Sequence, residues 1–207
     1  MTRMLSIAVT AAVLIAGLGM ARAEDAPAKI DPAQSDAFKQ RLFGSSTAKK
    51  SYACFTRRYD ADHLARHPLQ KVASMKLLVK FEADEQPNAI PYSFKLDLKY
   101  RNSKQERESA GTCAVMLDQA TGKNIEFGCG VDCDGGGFDL VFAKDRDAMV
   151  LKTSRVRTWL RGKEPEETAE DLIAGADDKS FRLDRTNLRD CVELAQDKDE
   201  RLALNRK

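Results

Sequence analysis

The two histidines of the chain stand four residues apart within CFTRRYDADHLARHP, residues 54–68. His63 and His67 would share one face of a short helix, because residues i and i+4 are neighbours on a helix surface. That spacing can hold one metal ion between two imidazoles. The general-base glutamate of the metalloprotease motif is missing, since Leu64 follows His63, and a third ligand would have to come from elsewhere. The alternative is a capped surface turn whose histidines bond backbone groups.

Three aspartates and one cysteine surround the glycines of CDGGGF, residues 133–138. Asp132, Asp134 and Asp139 could supply the clustered oxygen ligands that Ca²⁺ favours. Their spacing does not match a calcium loop, however, and aspartate is ordinary at a tight turn. Two flanking negative charges disfavour the thiolate that Cys133 would need as a nucleophile. No residue is therefore predicted as catalytic and no cofactor is predicted, with zinc and calcium kept as open possibilities.

Five arginines and the single tryptophan fall in two strand-like segments: Arg57, Arg58, Arg155, Arg157, Arg161 and Trp159. If the first and last strands are neighbours, these arginines form one basic face that can bind an anionic group. Ordinary solvated strand faces explain them equally well. The tryptophan is interpreted as core or barrel-closing packing in preference to a ligand platform. The candidate ligand-binding residues are Arg57, Arg155, Arg157 and Trp159.

Residues 106–143 hold three of the five cysteines and two turn signals. A turn centred on Thr121 would pair two alternating strands so that their apolar residues share one face and Cys113 lies directly opposite Cys129. Directly opposed Cβ atoms sit about 4.5–5.5 Å apart, which suits a disulfide. A short-range link from Cys129 to Cys133 remains an alternative. The glycines that follow Asp134 predict a second hairpin turn.

The cysteine count is odd, so one thiol is left over in any full pairing. Beside Cys113–Cys129 we favour Cys54–Cys191, which would close a long loop and contribute most in the entropy model. Cys133 then stays free.

Period-2 alternation is clearest in Val72 to Glu82 and in Ile90 to Arg101, where apolar and polar residues take turns. Seven or eight such strands in sequence predict an all-β fold, an antiparallel meander that closes as a small up-and-down barrel or stacks as a sandwich. Short helical segments are expected near both ends, one at residues 35–43 and one within 186–204, and a helical turn is expected at residues 167–173.

Residues 1–23 have the positive start, apolar run and Ala-Arg-Ala site of a cleaved signal peptide. We divide the rest into a leader at 24–50, disordered or briefly helical, and one β-rich domain at 51–207 with a helical tail. Cleavage removes two arginines and no acid, which leaves 32 residues of each sign. That balance gives no reason to expect nucleic-acid binding, and no membrane span is predicted in the mature chain.

Three segments resemble a family of small exported proteobacterial proteins without an assigned activity: CFTRRYDADHLARHP, CDGGGF and ADDKSFRLDR (176–185). The resemblance implies a bacterial envelope setting and brings no catalytic residue. The chain is interpreted as a periplasmic or secreted binding or interaction module, stabilised by disulfides, whose partner is an unknown small ligand or an envelope protein. The alternative is a metal-dependent or thiol enzyme that uses His63 and His67, with Cys133 as a further candidate.

Overall fold

The computed structural model describes residues 30–45, 47–83, 90–117, 125–144 and 147–206. The predicted signal peptide and the predicted turn around Thr121 lie outside these residues. The strands are β1 Lys50–Arg58, β2 Val72–Glu82, β3 Tyr92–Tyr100, β4 Glu106–Leu117, β5 Ile125–Gly130, β6 Gly136–Phe142, β7 Ala148–Leu160, β8 Glu170–Ile173 and β9 Ser180–Thr186. The helices are α1 Pro32–Phe43, α2 Ala61–Arg66, α3 Pro165–Thr168, a 3-10 helix at Leu188–Leu194 and α4 Lys198–Asn205.

Eight of these strands close into an antiparallel barrel, which confirms the predicted all-β class and decides between barrel and sandwich. The order around the barrel is β1, β2, β3, β4, β5, β6, β7 and β9, and β9 pairs with β1 to complete the ring. β8 is an extra strand that pairs with β7 beyond the stretch that β9 occupies. Closure satisfies the strand edges that an open meander would expose.

The barrel interior is filled by the inward residues of the alternating strands. β2 and β3 pair in the register that their hydrophobic pattern requires, with Leu77 opposite Leu96 and Met75 opposite Leu98. These side chains are at most 2% exposed, as are their counterparts in β7 and β9: Met149, Leu151, Phe181 and Leu183. Burial of such side chains supplies the main favourable term in folding.

Helix α1 packs into one end of the barrel and belongs to the folded unit, although the sequence pattern assigns it to a leader. It begins at Pro32 and not at Ser35, because Asp31 is the N-cap and its carboxylate accepts the Ala33 N–H at 2.9 Å. Phe38 and Leu42 are buried with the barrel core, and the Phe38 ring lies 5.1 Å from the ring of Phe127.

The carboxyl end of α1 is tied to β9. Arg185 donates to the carbonyl oxygens of Leu42 at 3.0 Å and Arg41 at 3.1 Å. Terminal helix carbonyls have no partner within the helix, so these bonds satisfy acceptors that would otherwise need water. The Arg185 guanidinium also lies over the Phe55 ring, 4.8 Å from its centroid. The helix is therefore held at both its apolar face and its end.

A second, smaller cluster lies on the outside of β1 and β2 beneath the C-terminal helices. It contains Leu78, Leu194 and Leu204, each at most 4% exposed, around the disulfide Cys54–Cys191. The bridge joins residues 137 positions apart. It is one of the two pairs that the sequence favours, and it fixes the C-terminal helices on the barrel wall.

The other disulfide, Cys113–Cys129, lies inside the barrel between β4 and β5. The two residues are direct cross-strand partners with Cα atoms 4.0 Å apart, and both are nearly inaccessible to solvent. This is the register derived from the alternating pattern of the two strands.

No helix among the described residues is long enough and apolar enough to cross a membrane.

The turn between β5 and β6 contains the remaining cysteine. Cys133 is exposed and free, and both it and Asp134 have positive φ, 55° and 59°. The sequence predicts that the glycines of this turn take up the left-handed backbone, and among them Gly136 does so, with φ of 71°. Its extra freedom is needed there because a Cβ would lie 2.3 Å from the carbonyl oxygen of Arg155.

Candidate ligand site at the polar end of the barrel

The end of the barrel away from α1, here called the polar end, is where β1, β3 and β7 finish and β2 and β4 begin. Tyr59 and Tyr100 pack there against the barrel core. Burial raises the pKa of both phenols above its ordinary value, against the opposing effect of neighbouring arginines. The Arg57 guanidinium lies over the Tyr59 ring, 5.2 Å from the centroid. Polar and charged groups thus replace the hydrocarbon that fills the other end.

Arg107 of β4 is the most buried cation at the polar end, with 8% of its surface exposed. Its Nε donates to Thr158 Oγ1 at 2.9 Å, and its Nη2 donates to the carbonyl oxygens of Thr158 at 3.1 Å and Thr168 at 2.8 Å. Nη1 pairs with the half-exposed Glu170 at 3.2 Å. A buried guanidinium with this many acceptors is satisfied, so Arg107 stitches β4 to β7 and β8.

Two connecting segments cover the polar end. Asp178, in the connection from β8 to β9, is fully buried and accepts the backbone N–H groups of Lys71 at 2.9 Å and Val72 at 3.4 Å. Arg101, just after β3, donates to three carbonyls around the end of α2, those of Leu64, His67 and Pro68. The α2 segment is thereby fixed to strands on both sides.

A cavity of about 520 Å³ opens at the ends of β1, β2 and β3, within the size range of ligand pockets. Its wall carries five cationic side chains: Arg57, Arg58, Lys76, Lys99 and Arg101. The acidic residues of the wall are Glu106 and Asp190, and Tyr59 and Tyr100 also contribute to it. The cavity therefore has a surplus of positive charge.

The cations of this cavity differ in how far their charge is neutralised. Arg57 pairs with Asp184 at 3.0 Å, but the same carboxylate also accepts from Arg182 at 2.9 Å. Lys76 pairs with Glu193 of the 3-10 helix. Arg101 bonds only neutral carbonyl oxygens, as described above, so its charge is not cancelled.

Arg58 and Lys99 form no ion pair with any of the residues that the structure describes. Both lie on the outward face of the barrel wall, on strands that flank β2 on its two sides. Their ammonium and guanidinium groups remain available to an incoming anion.

A buried carboxylate lies next to the cavity on the outer face of β3. Asp97 is 5% exposed and pairs with Arg161, which also contacts Glu106 at 2.7 Å. Burial raises the pKa of Asp97 to about 6, because the loss of solvation outweighs the attraction of Arg161. One carboxylate oxygen of Asp97 has no hydrogen-bond partner among the described residues. The charge balance beside the cavity therefore changes near neutral pH.

The two histidines are stacked on one another at this end. The rings of His63 and His67 have centroids 4.4 Å apart at an interplanar angle of 26°, and Tyr59 stacks on His63 at the same distance. His63 Nε2 lies 3.0 Å from Gln70 Oε1, and His67 Nδ1 lies 3.9 Å from a carboxylate oxygen of Asp177. Among the described residues, no group of three or more His, Cys, Asp or Glu side chains is placed to hold a metal ion.

Of the predicted basic face, Arg57 and Arg58 line the cavity and the β7 residues do not. Arg155 and Arg157 both pair with Asp171 of β8, at 3.0 and 3.2 Å. Trp159 is 9% exposed, and its indole N–H donates to Glu108 at 2.9 Å. The structure thus divides the predicted face, with the β1 arginines at the cavity and the β7 arginines in contact with β8.

The aspartates around the glycine turn are likewise dispersed. The carbonyl oxygen of Asp134 accepts from Arg155 at 2.5 Å, and that of Asp132 accepts the Gly135 N–H at 3.3 Å. Asp139 lies on β6, opposite Gly128 of β5. The contacts of the turn are those of a hairpin connection anchored to β7.

Lys76, Lys99 and Arg101 are cavity residues that reading along the sequence did not single out. Each belongs to an alternating strand or its end, where a polar residue is expected to face solvent. The signal that could have found them is their cross-strand register, since Arg58 lies opposite Ser74 and Ser74 lies opposite Lys99. That register becomes visible only when three strands are aligned together.

The comparisons with known proteins give no likeness from which a function could be transferred. No protein-family model, no curated protein and no solved structure matches this chain. The case for a function therefore depends on the residues of the chain itself.

Proposed function

We propose that this protein is an exported binding module of the bacterial envelope that holds a small ligand at the polar end of its barrel. The observation that carries the proposal is the 520 Å³ cavity with five cationic side chains in its wall. Ligand sites are concave, few per protein and often placed at the mouths of β-barrels. A cavity of about 480 Å³ also lies beside α1, but Arg41 is the one cation in its wall and already lies over the Phe142 ring. The cavity at the polar end, with its surplus of cations, is therefore the stronger candidate for a ligand site.

Export is supported by the sequence of residues 1–23 and by the two disulfides. Disulfides form and persist in oxidising compartments such as the periplasm, and this chain has one bridge inside the barrel and one outside it. Cleavage before Glu24 would place the barrel in that compartment without its signal peptide.

Native mass spectrometry on protein exported through its own signal tests the proposal. We expect the mass of residues 24–207 less the hydrogens of two disulfides, plus the mass of one bound small molecule. Ser74→Trp fills the cavity with an indole and should lose that extra mass. Ser93→Trp is the matched control, because Ser93 lies on the outer face of β3 away from the cavity.

Two results would count against this function. An exported protein without any added mass, which also binds none of a panel of small molecules, would remove the ligand. Equal retention of the ligand by the two tryptophan variants would place its site elsewhere on the protein.

A further inference from the structure

The cations of the cavity are arranged around one small residue, Ser74 of β2. Arg58 lies opposite Ser74 on β1, and Lys99 lies opposite it on β3. Lys76 follows Ser74 by two residues on the same face of β2, and Arg101 follows Lys99 by two residues. Four cations therefore ring a position that has a hydroxymethyl group in place of a large side chain.

The spacing of these four cations around Ser74 suits one compact anion. Neighbouring strands lie about 4.8 Å apart, so the Cα atoms of Arg58 and Lys99 are about 10 Å apart across Ser74. Long side chains from both strands can reach a group placed over the serine, whose hydroxyl is a further donor. A row of cations along a strand would instead suit an extended polymer.

The charge of the ring favours a doubly charged oxyanion. Arg58 and Lys99 form no ion pair within the described part of the chain, and Arg101 bonds neutral carbonyls. Glu106, which lies opposite Lys99 on β4, is paired with Arg161. A carboxylate offers two oxygens in one plane, whereas a phosphate monoester offers three acceptor oxygens in a tetrahedron with close to two negative charges. Only the phosphate can accept from several sides at once.

The cavity is larger than a phosphate group alone requires. Its volume of about 520 Å³ leaves room for an organic part of the ligand beside the phosphate. The rings of Tyr59 and Tyr100 pack against the barrel core, so the organic part would contact mainly the polar and charged side chains of the wall. A sugar that bears a phosphate suits such a wall, because its hydroxyl groups can donate and accept hydrogen bonds.

We propose that the cavity binds a phosphorylated small molecule, with the phosphate seated over Ser74 among Arg58, Lys76, Lys99 and Arg101. The inference rests on the proposed binding function and adds the chemical class of its ligand. Free phosphate and a phosphate ester share the chemistry that these cations recognise, and the volume of the cavity favours the ester.

Isothermal titration at about 0.15 M ionic strength, where the Debye length is about 8 Å, tests this with three probes: glucose 6-phosphate, glucose and inorganic phosphate. We expect glucose 6-phosphate to bind at least about tenfold more tightly than either of the others, a difference well within the range of one charged contact set. Tighter binding of inorganic phosphate would assign the site to the free ion and contradict the proposal that the ligand is a phosphate ester.

Two matched variants of Ser74 isolate the charge from the size of the side chain. Ser74→Glu places a carboxylate where the phosphate would sit, and Ser74→Gln places a neutral group of the same size there. We expect the glutamate variant to bind glucose 6-phosphate at least about tenfold more weakly than the glutamine variant, because like charges repel at this distance. Equal affinities would overturn the proposal.

A second pair of variants tests the same site in case the Ser74 variants do not fold. Lys99→Glu should weaken binding of glucose 6-phosphate by about tenfold, whereas Lys95→Glu, on the same strand and face but outside the cavity, should change it less than about twofold, since exposed charges are screened beyond a Debye length. Equal weakening by both would indicate general charge attraction and contradict the site.

Failure of this inference can be told apart from failure of the binding function. If native mass spectrometry finds a neutral ligand that Ser74→Trp loses, the binding function stands and the phosphate is wrong. If the exported protein contains no ligand and binds none of the probes, both are wrong.

Discussion

The two ends of the barrel are closed by different interactions, apolar packing at one end and hydrogen bonds between polar groups at the other. At one end α1 inserts Phe38 and Leu42 into the core, and aromatic rings surround them. At the other end Arg107 and Asp178 form hydrogen bonds with the connecting segments, and Tyr59 and Tyr100 pack against the core. An apolar plug needs only shape and volume, whereas a polar end needs each donor and acceptor to find a partner.

This difference indicates a division of labour between stability and binding. Hydrocarbon packing contains no titratable group, so its contribution to stability does not depend on pH. Closing an end with polar groups costs free energy, because those groups lose their contact with water. It also leaves cations at the rim that form no ion pair, among them Arg58 and Lys99. The following variants test how far the two ends really differ, from the largest expected effect to the smallest.

Phe38→Ala should be the most destabilising of these changes. Removing a buried phenylalanine from the α1 plug should lower the free energy of unfolding by about 3–5 kcal/mol, through lost burial and the cavity left behind. Chemical denaturation gives the value. The control, Asp36→Ala, removes an exposed partner of Lys39 on the same helix and should cost less than about 1 kcal/mol. A similar small loss for both would show that α1 does not plug the barrel.

Asp97→Asn should change the pH dependence of stability near the polar end. The folded pKa of about 6 is raised above the ordinary value of 3.8, so the folded chain binds this proton more tightly than the unfolded chain does. Wild-type unfolding free energy should therefore fall as pH rises from about 4 to about 7, by up to about 3 kcal/mol from this group. The asparagine variant should lack that fall.

The groups that face Asp97 are Lys76 on β2, Glu106 and Glu108 on β4, and Arg161 after β7. Denaturation of both proteins at several pH values gives the difference in unfolding free energy. We expect this difference to grow in favour of the variant with rising pH. A constant difference would mean that Asp97 ionises as an exposed carboxyl does.

Arg107→Met should cost about 2 kcal/mol, because it keeps the buried stem and leaves the carbonyls of Thr158 and Thr168 without their donor. Unlike the loss in Phe38→Ala, this loss comes from unpaired acceptors and not from a void. Arg189→Met, which removes a single exposed bond to the Asn205 carbonyl, is the control. Stability equal to wild type would show that the polar end does not need its hydrogen bonds.

The double change His63→Ala and His67→Ala should have the smallest effect, about 1 kcal/mol. The residues lose ring stacking, a long ion pair and the hydrogen bond between His63 Nε2 and Gln70 Oε1, interactions whose net contributions are individually small. Elemental analysis of protein from metal-supplemented cultures should be done on both forms. A stoichiometric metal that disappears in the variant would revive the metal-dependent alternative.

The barrel strands and the disulfide hairpin could be read from the sequence because both depend on a period of two. In β2, β3 and the β4–β5 pair, apolar residues alternate over enough positions to set the inward face, and that register alone brings Cys113 opposite Cys129. β8 was different. Residues 167–173 predict a helical turn, whereas Glu170–Ile173 is a strand, since its four residues are too few to show alternation.

The cavity could not be read in the same way because its residues come from three strands. Along the chain, Lys76 and Lys99 are ordinary polar positions of half-buried strands. Only the pairing of β1, β2 and β3 shows that they surround Ser74. The role of α1 was missed for a related reason, since the burial of Phe38 and Leu42 depends on a barrel end that forms from distant strands.

The bridge from Cys54 to Cys191 gives the protein a chemical record that synthesis has passed the whole barrel. Cys54 lies on the first strand, and Cys191 follows all eight strands of the barrel. A chain with both bridges retains Cys133 as its free thiol, whereas a chain that stops between Cys133 and Cys191 has Cys54 as a second one. The number of free thiols therefore reports whether the last barrel strand has been made.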